Sequence, residues 1–323
     1  MDPANGEREP VAGVTQVVEA VPNFSEGRDP AFVEAAADVF AAAGCQVLHT
    51  TMDPDHHRSV VTVIGSPRAV ERGSLAAAVL ALERIDLRTH RGVHPRVGAL
   101  DVLPFVPLHG IEMDAVVELG QRVGRRIARL GIPVHFYARA SRPARRTLAS
   151  IRRSGPGRRV ADLPGLDHDG RPVHIRAHPT AGAACVGARG VLLAWNVDVE
   201  GLTLESAREI AARIREAGGG FPGLRALALQ LPKQQRMQIS MNLEDPVRTH
   251  PTEVFRAIEH RVRQVQGRVL GTEVIGMYPD QLSDPVVARD VGIRDWSEHR
   301  VLGCRLRAFI GRGSGWPKRS EAE

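Results

Sequence analysis

Two short polar clusters hold most of the side chains in this sequence that could move a proton or grip an anion. The first is Asp53-Pro54-Asp55-His56-His57-Arg58. It sits between two apolar, β-branched runs and so falls on a loop, where a rigid scaffold commonly presents reactive side chains. Asp-Pro-Asp is good turn chemistry, but a turn does not call for His-His-Arg running straight into a strand. The second cluster is Thr89 to Arg96, followed by Gly98-Ala99-Leu100-Asp101. Gly92 and Pro95 forbid a continuous helix there, so His90 and His94 do not share a helical face. An imidazole titrates near neutral pH, and on such a loop it can both take and give a proton. The nearby Arg96 can neutralise a substrate carboxylate bidentately.

Other chemistries find less support. Asp53, Asp55, His56, His57, His90 and His94 are all potential metal ligands. The HExxH, His-x-His and paired-Cys patterns of common zinc sites are missing, however, and Arg58, Arg91 and Arg96 crowd the same segments, so no metal is expected. Gly311-Arg312-Gly313-Ser314-Gly315 does not stand between a strand and a helix and is no dinucleotide fingerprint. A third region, His178-Pro179-Thr180-Ala181-Gly182-Ala183 with Gly187-Ala188-Arg189, is built of small residues. It reads equally as a surface that a flat ligand can approach closely or as a tight connector.

These residues need elements to position them. The first half reads strand (16–21), helix (30–43), strand (46–51), strand (59–65), helix (67–84), strand (99–107), with an appended helix (113–130) and strand (134–137). Asp29 and Ser66 are placed as N-caps, each before a proline at the first helical position. The second half repeats the order: strand (191–197), helix (204–217), strands (224–231 and 237–243), helix (252–266), strand (269–275). The expected fold is therefore α/β, as two tandem βαββαβ ferredoxin-like subdomains. Residues 1–15 read as a disordered arm, 16–188 and 189–310 as the subdomains, and 311–323 as a flexible tail. Ser154 to Arg176 reads as a linker or a functional loop.

With 323 residues, 43% apolar and 25% charged, the chain is an ordinary globular one, and no apolar run is long enough to span a membrane. Cys45, Cys185 and Cys304 stand far apart, an odd count that suits a reduced, cytoplasmic protein. The net charge of +6 is nearly all arginine, with a cluster at Arg142, Arg145, Arg146, Arg152, Arg153, Arg158 and Arg159. Aromatics do not interleave it, so an anionic small substrate is expected rather than nucleic acid.

Taken together, several segments resemble glutamate formimidoyltransferase. They are Val21-Pro22-Asn23-Phe24-Ser25-Glu26-Gly27, Asp53 to Val60, Gly92-Val93-His94-Pro95-Arg96-Val97-Gly98-Ala99-Leu100-Asp101, His178 to Gly182, Gly187-Ala188-Arg189, Ser240-Met241-Asn242-Leu243 and Gly271-Thr272-Glu273-Val274-Ile275-Gly276. The resemblance runs in order from about Val17 to about Pro279 and is to the stand-alone form, without a cyclodeaminase domain. It implies two α/β subdomains flanking a folate tunnel, tetrahydrofolate as co-substrate, glutamate as partner substrate, and a homodimer. It further implies that His94 is the catalytic acid/base and that Arg58, Arg96, His57 and Asn23 bind substrate. Folate would contact Val173, His174, Ile175, Arg176, Ala177, His178, Pro179, Thr180, Ala181 and Gly182. Two departures stand out: Thr51 where vertebrate members have Asp, and His57 where most members have Asn. They keep open a folate-binding protein with lost or altered transferase activity. The His/Asp clusters keep open a metal-dependent amidohydrolase.

Overall fold

The computed structural model describes residues 15–141, 146–152, 177–232 and 234–311, with the backbone alone of 165–166 and 172–173. Apart from Thr15 and Gly311, the expected arm and tail lie outside these residues, as do Arg142, Arg145, Arg153, Arg158 and Arg159 of the arginine cluster.

The chain opens with β1 (Val17–Ala20) and the short β2 (Asn23–Phe24), then α1 (Pro30–Ala42). Asp29 caps that helix by accepting from Ala31 N, and Gly44 releases the chain in the left-handed conformation at φ 88°. β3 (Gln46–Asp53), β4 (Arg58–Gly65), α2 (Pro67–Arg84) and β5 (Leu100–His109) follow, and then α3 (Met113–Ala128) and β6 (Val134–Ala138). After α4 (Leu148–Arg152), β7 (Gly165–Leu166) and β8 (Pro172–Val173), β9 (Ala184–Ala188) ends the first half. The second half is β10 (Leu193–Glu200), α5 (Leu204–Ile214), β11 (Leu224–Leu231), β12 (Arg236–Leu243), α6 (Pro251–Gln264) and β13 (Arg268–Ile275). Helices α7 (Pro285–Asp290) and α8 (Leu302–Gly311) complete it.

The expected α/β architecture with two sheets is what forms. In the first sheet the antiparallel order is β3-β4-β1-β5, with β2 sharing the track of β1 between β4 and β5. The second sheet runs β11-β12-β10-β13, the same order element for element. Helices α1, α2 and α3 cover one face of the first sheet, and α5 and α6 one face of the second. Ile151 of the short α4 packs on the other face of the first sheet, against Val102, Tyr137 and Cys185. In α1 the buried residues Phe32, Val33, Ala36, Ala37 and Phe40 fall on one helical stripe, and in α6 Val254, Phe255, Ile258 and Val262 do the same. Two large cores result, one holding Phe32, Phe40, Leu103 and Phe105, the other Trp195, Ile258 and Tyr278, with a small third cluster of Val97, Val102, Tyr137, Ile151 and Cys185. The opposite faces of the two sheets meet: Thr62 of β4 lies 3.1 Å from where a side chain on Gly276 would start.

The strand expected over 191–197 forms over Leu193–Glu200, and the helices α4, α7 and α8 have no counterpart in the sequence reading. Two further features differ from it. The helix expected over 204–217 stops at Ile214, because Glu216–Gly218 tightens to a 3₁₀ turn that Gly219 closes at φ 81°. More consequentially, Ala184–Ala188 is no connector. It is β9, a buried strand running parallel between β5 and β6. Its alanines and glycine hide a strand signal, yet the structure explains Gly187: a Cβ there would strike the ring of Tyr137. Gly98 faces a similar constraint against the Ala183 carbonyl while pairing with Gly182.

Gly98→Ala must therefore push β9 away from the His94 loop, and a loss of about 1–3 kcal/mol is expected. Gly190, with open space around it, should tolerate alanine within about 0.5 kcal/mol. Urea unfolding midpoints of the two variants check this.

Candidate active site

Between the two halves lies an open cleft lined by residues of both, a common setting for a small-molecule site. One wall carries Arg58, His56, His94 and Arg152 from the first half, and the other carries Asn196, Ser240 and Glu273 from the second.

The first wall is organised by Asp101, which has no solvent exposure. Its Oδ2 accepts from Arg58 Nη1 and Arg152 Nη2, each at 2.6 Å, while Oδ1 accepts from the backbone N–H of Val97 at 2.6 Å and Gly98 at 3.3 Å. Burial alone would raise this carboxyl, but Arg152 and Arg58 hold it far below the usual carboxylate range. Arg58 also donates from Nε and Nη2 to Asn23 Oδ1, at 3.2 and 2.7 Å, which leaves some of its N–H donors unspent. One carboxylate against two guanidiniums leaves positive charge on this wall, and Arg189 adds to it.

His94 stands on this wall with Nδ1 2.8 Å from the Pro95 carbonyl. A carbonyl only accepts, so Nδ1 carries the proton and Nε2 keeps its lone pair. Burial, then Arg58 and Arg152, push the imidazole well below its ordinary value near 6.5, with Asp101 opposing. The ring is therefore neutral near neutral pH, and its Nε2 lone pair is free to accept a proton. His56 lies alongside it, with ring centroids 5.5 Å apart.

His57 and His90 form a second stacked pair at 4.1 Å, away from the cleft lining. His57 adopts φ 50° and meets Glu26 Oε1 at 3.2 Å, and His90 Nε2 donates to the His57 carbonyl at 2.8 Å. Gly92 is required here, since a Cβ on it would collide with the His56 carbonyl. This pair clamps the turn of the first polar cluster to the loop of the second.

Of the residues singled out in the sequence, His94, Arg58 and Asn23 thus come together at the cleft. His57 packs behind it. Arg96 points elsewhere and donates to the His90 carbonyl at 3.3 Å. His174, Ile175 and Arg176 lie outside the described residues, and of Val173 only the backbone in β8 is described. His178 and Gly182 close a tight loop by exchanging backbone hydrogen bonds at 2.8 and 2.9 Å, and His178 Nδ1 accepts from Ala181 N at 3.1 Å. Ala177, His178, Pro179, Thr180, Ala181 and Gly182 are not part of the cleft lining; the loop is stitched through Leu87 and Ala99 to the base of the His94 segment. Asp101, Arg152, Arg189 and Glu273 emerge only in three dimensions, although Asp101, Arg189 and Glu273 sat inside recognised motifs. Among the described residues no group of three or more His, Cys, Asp or Glu could hold a metal ion, and no helix is long and apolar enough to cross a membrane.

Residues 17–189 match the family described as "Formiminotransferase domain, N-terminal subdomain", and residues 194–284 match "Formiminotransferase domain". This chain belongs to the formiminotransferase family. It is 33% identical over 296 residues to glutamate formimidoyltransferase of Streptococcus pyogenes serotype M1, covering 90% of this chain and 98% of that protein. The enzyme of that name from Thermoplasma acidophilum is 37% identical over 298 residues, covering 90% and 97%. Formimidoyltransferase-cyclodeaminase of Sus scrofa is 35% identical over 278 residues, 82% of this chain but 51% of that protein. The family resemblance read from the motifs holds, and with it the enzyme class, a transferase.

Two stability effects follow from the site. In Asp101→Asn the amide would present a donor to arginines that need an acceptor, so a loss of about 3–5 kcal/mol is expected by chemical denaturation. The buried imidazoles set a pH dependence. Burial lowers His49, His90 and His135 to about 4 each, so their stabilisation is complete above the ordinary histidine value and fades as pH falls toward 4. Glu19, raised to about 7 by burial, acts oppositely: its contribution is present below the ordinary carboxylate value and is lost as pH rises through 7. Three groups outweigh one, so the urea midpoint should be lower at pH 5 than at pH 7.5.

Proposed function

We propose that this protein transfers the formimidoyl group between 5-formimidoyltetrahydrofolate and L-glutamate, a step of histidine degradation and one-carbon folate metabolism, with His94 in the acid/base role. The observation that carries this reading is the neutral His94, its Nε2 lone pair free, on the wall of a cleft between the two halves. The amine of glutamate must lose a proton as it attacks the formimidoyl carbon. A positioned base contributes typically about 10²–10⁴-fold to such a step. The amidinium-like carbon is already electrophilic, so the reaction calls for no metal. Arg58, with donors to spare, suits a glutamate carboxylate, and Asn23 Oδ1 holds its guanidinium by accepting from Nε and Nη2. Arg96 and His57 act on this reading by holding the loops, not by touching substrate.

Folate is taken to thread a tunnel between subdomains 16–188 and 189–310, a division supported by the two large cores and by the repeated ferredoxin-like strand order. Residues 173–182 would reach the pterin side at the tunnel's end, on the family resemblance. A cytoplasmic homodimer is proposed on the same basis. Thr51 lies in the cleft lining, but Asp53 and Glu273 lie there too, so the cleft does not lack carboxylates. That favours an active transferase over a folate-binding protein without activity.

An assay of formimidoyl-L-glutamate with tetrahydrofolate, following folate absorbance, tests the reading. The wild type should turn over without added metal and in the presence of a chelator. His94→Ala should fold normally and lose at least about 10²-fold in kcat. Tetrahydrofolate binding with no transfer would support the inactive binder, and loss of turnover on chelation would support the amidohydrolase.

A further inference from the structure

His56 was one residue among several in the first polar cluster, and the assignment of His94 leaves it unused. It is 7% exposed, it belongs to the cleft lining, and its Nε2 is buried with no hydrogen-bond partner among the described residues. An orphaned imidazole nitrogen costs free energy, so it calls for a reason. Its ring lies beside His94 at 5.5 Å between centroids and 29° between planes. The backbone holds it there: its N–H donates to Asp53 Oδ1 at 2.7 Å, and its carbonyl is where Gly92 must stay bare.

Resting on the transferase reading above, we infer that His56 is a second catalytic residue, the general acid that protonates the departing nitrogen, while His94 is the base. The transfer moves one carbon between two amines. When the glutamate nitrogen bonds to the formimidoyl carbon, its proton passes to His94 Nε2. When the bond from that carbon to the folate nitrogen breaks, the electron pair stays on the folate nitrogen, which takes a proton from His56. One proton is accepted and one is given, and no other reactant enters.

The arrangement fits this division. His94 cannot swing to serve both nitrogens, because its Nδ1 is tied to the Pro95 carbonyl. His56 beside it adds a further charge that disfavours a proton on His94. Arg58 and Arg152 bear on His94 and disfavour a proton there, so it enters the reaction neutral, with a lone pair to accept one. After one turnover the proton has moved from His56 to His94, the arrangement that starts the reverse reaction. Exchange with water through the open cleft resets the forward one. A reversible transfer between two nitrogens is served equally in both directions.

The test compares wild type, His56→Gln and His56→Ala in the formimidoyl-glutamate and tetrahydrofolate assay, with urea midpoints to check folding. His56→Gln should lose about 10²–10⁴-fold in kcat with KM for both substrates within about threefold. His56→Ala should regain part of that loss with added imidazole. A wild type that turns over while His56→Gln keeps kcat within about threefold, or changes KM alone, overturns the inference and leaves the transferase reading standing. A wild type without turnover removes both. If His56→Gln does not fold, imidazole rescue of folded His56→Ala decides: rescue supports the acid role and none refutes it.

Discussion

A single buried carboxylate carries much of this site. Asp101 accepts two guanidinium N–H groups on one oxygen and two backbone N–H groups on the other. Every partner comes from a different part of the chain: Arg58 from the start of β4, Arg152 from α4, Val97 and Gly98 from the loop that displays His94. Leaving any of these charges alone in a dry wall would be costly, so the loop, the strand and the helix are fixed together. The His57–His90 stack performs a similar service with less charge, joining the two polar clusters from behind.

The scaffold also sets the chemistry. Burial disfavours a charged imidazole, and Arg58 and Arg152 disfavour it further, so His94 is held as a free base at neutral pH. The same arginines, sharing one carboxylate, keep the wall attractive to an anionic substrate. The opposite wall belongs to the second half, where Asn196 and Glu273 stand on β10 and β13. A cleft between two sheets lets each half contribute a wall of different polarity.

Much of the fold was legible in the chain. Period-two runs, Asp29 and Ser66 as caps and Gly44 as a stop mark the strands and helices of both βαββαβ units to within about three residues, but not α4, α7 or α8. Among the buried strands β9 escaped notice, because Ala-Cys-Val-Gly-Ala has little strand character of its own. It is a strand because β5 and β6 flank it and because Tyr137 leaves room only for Gly187. The site was legible in part. His94, Arg58 and Asn23 are local motif residues that the fold brings together. Arg152 looked like one arginine in a basic run, since its partner Asp101 lies 51 residues away. Arg96 looked like a carboxylate ligand, since nothing in its spacing says that it turns toward the His90 carbonyl. Pairings across such distances are set by strand register, which local patterns do not encode.

The central claim is that His94 is a neutral imidazole with its proton on Nδ1 and a free Nε2. Nitrogen-15 NMR of histidine-labelled protein, with His94→Ala for assignment, reads this directly. The account predicts the neutral Nδ1–H tautomer at pH 7, persisting as the pH is lowered through 6.5. An imidazolium at pH 7, or a proton on Nε2, would contradict it.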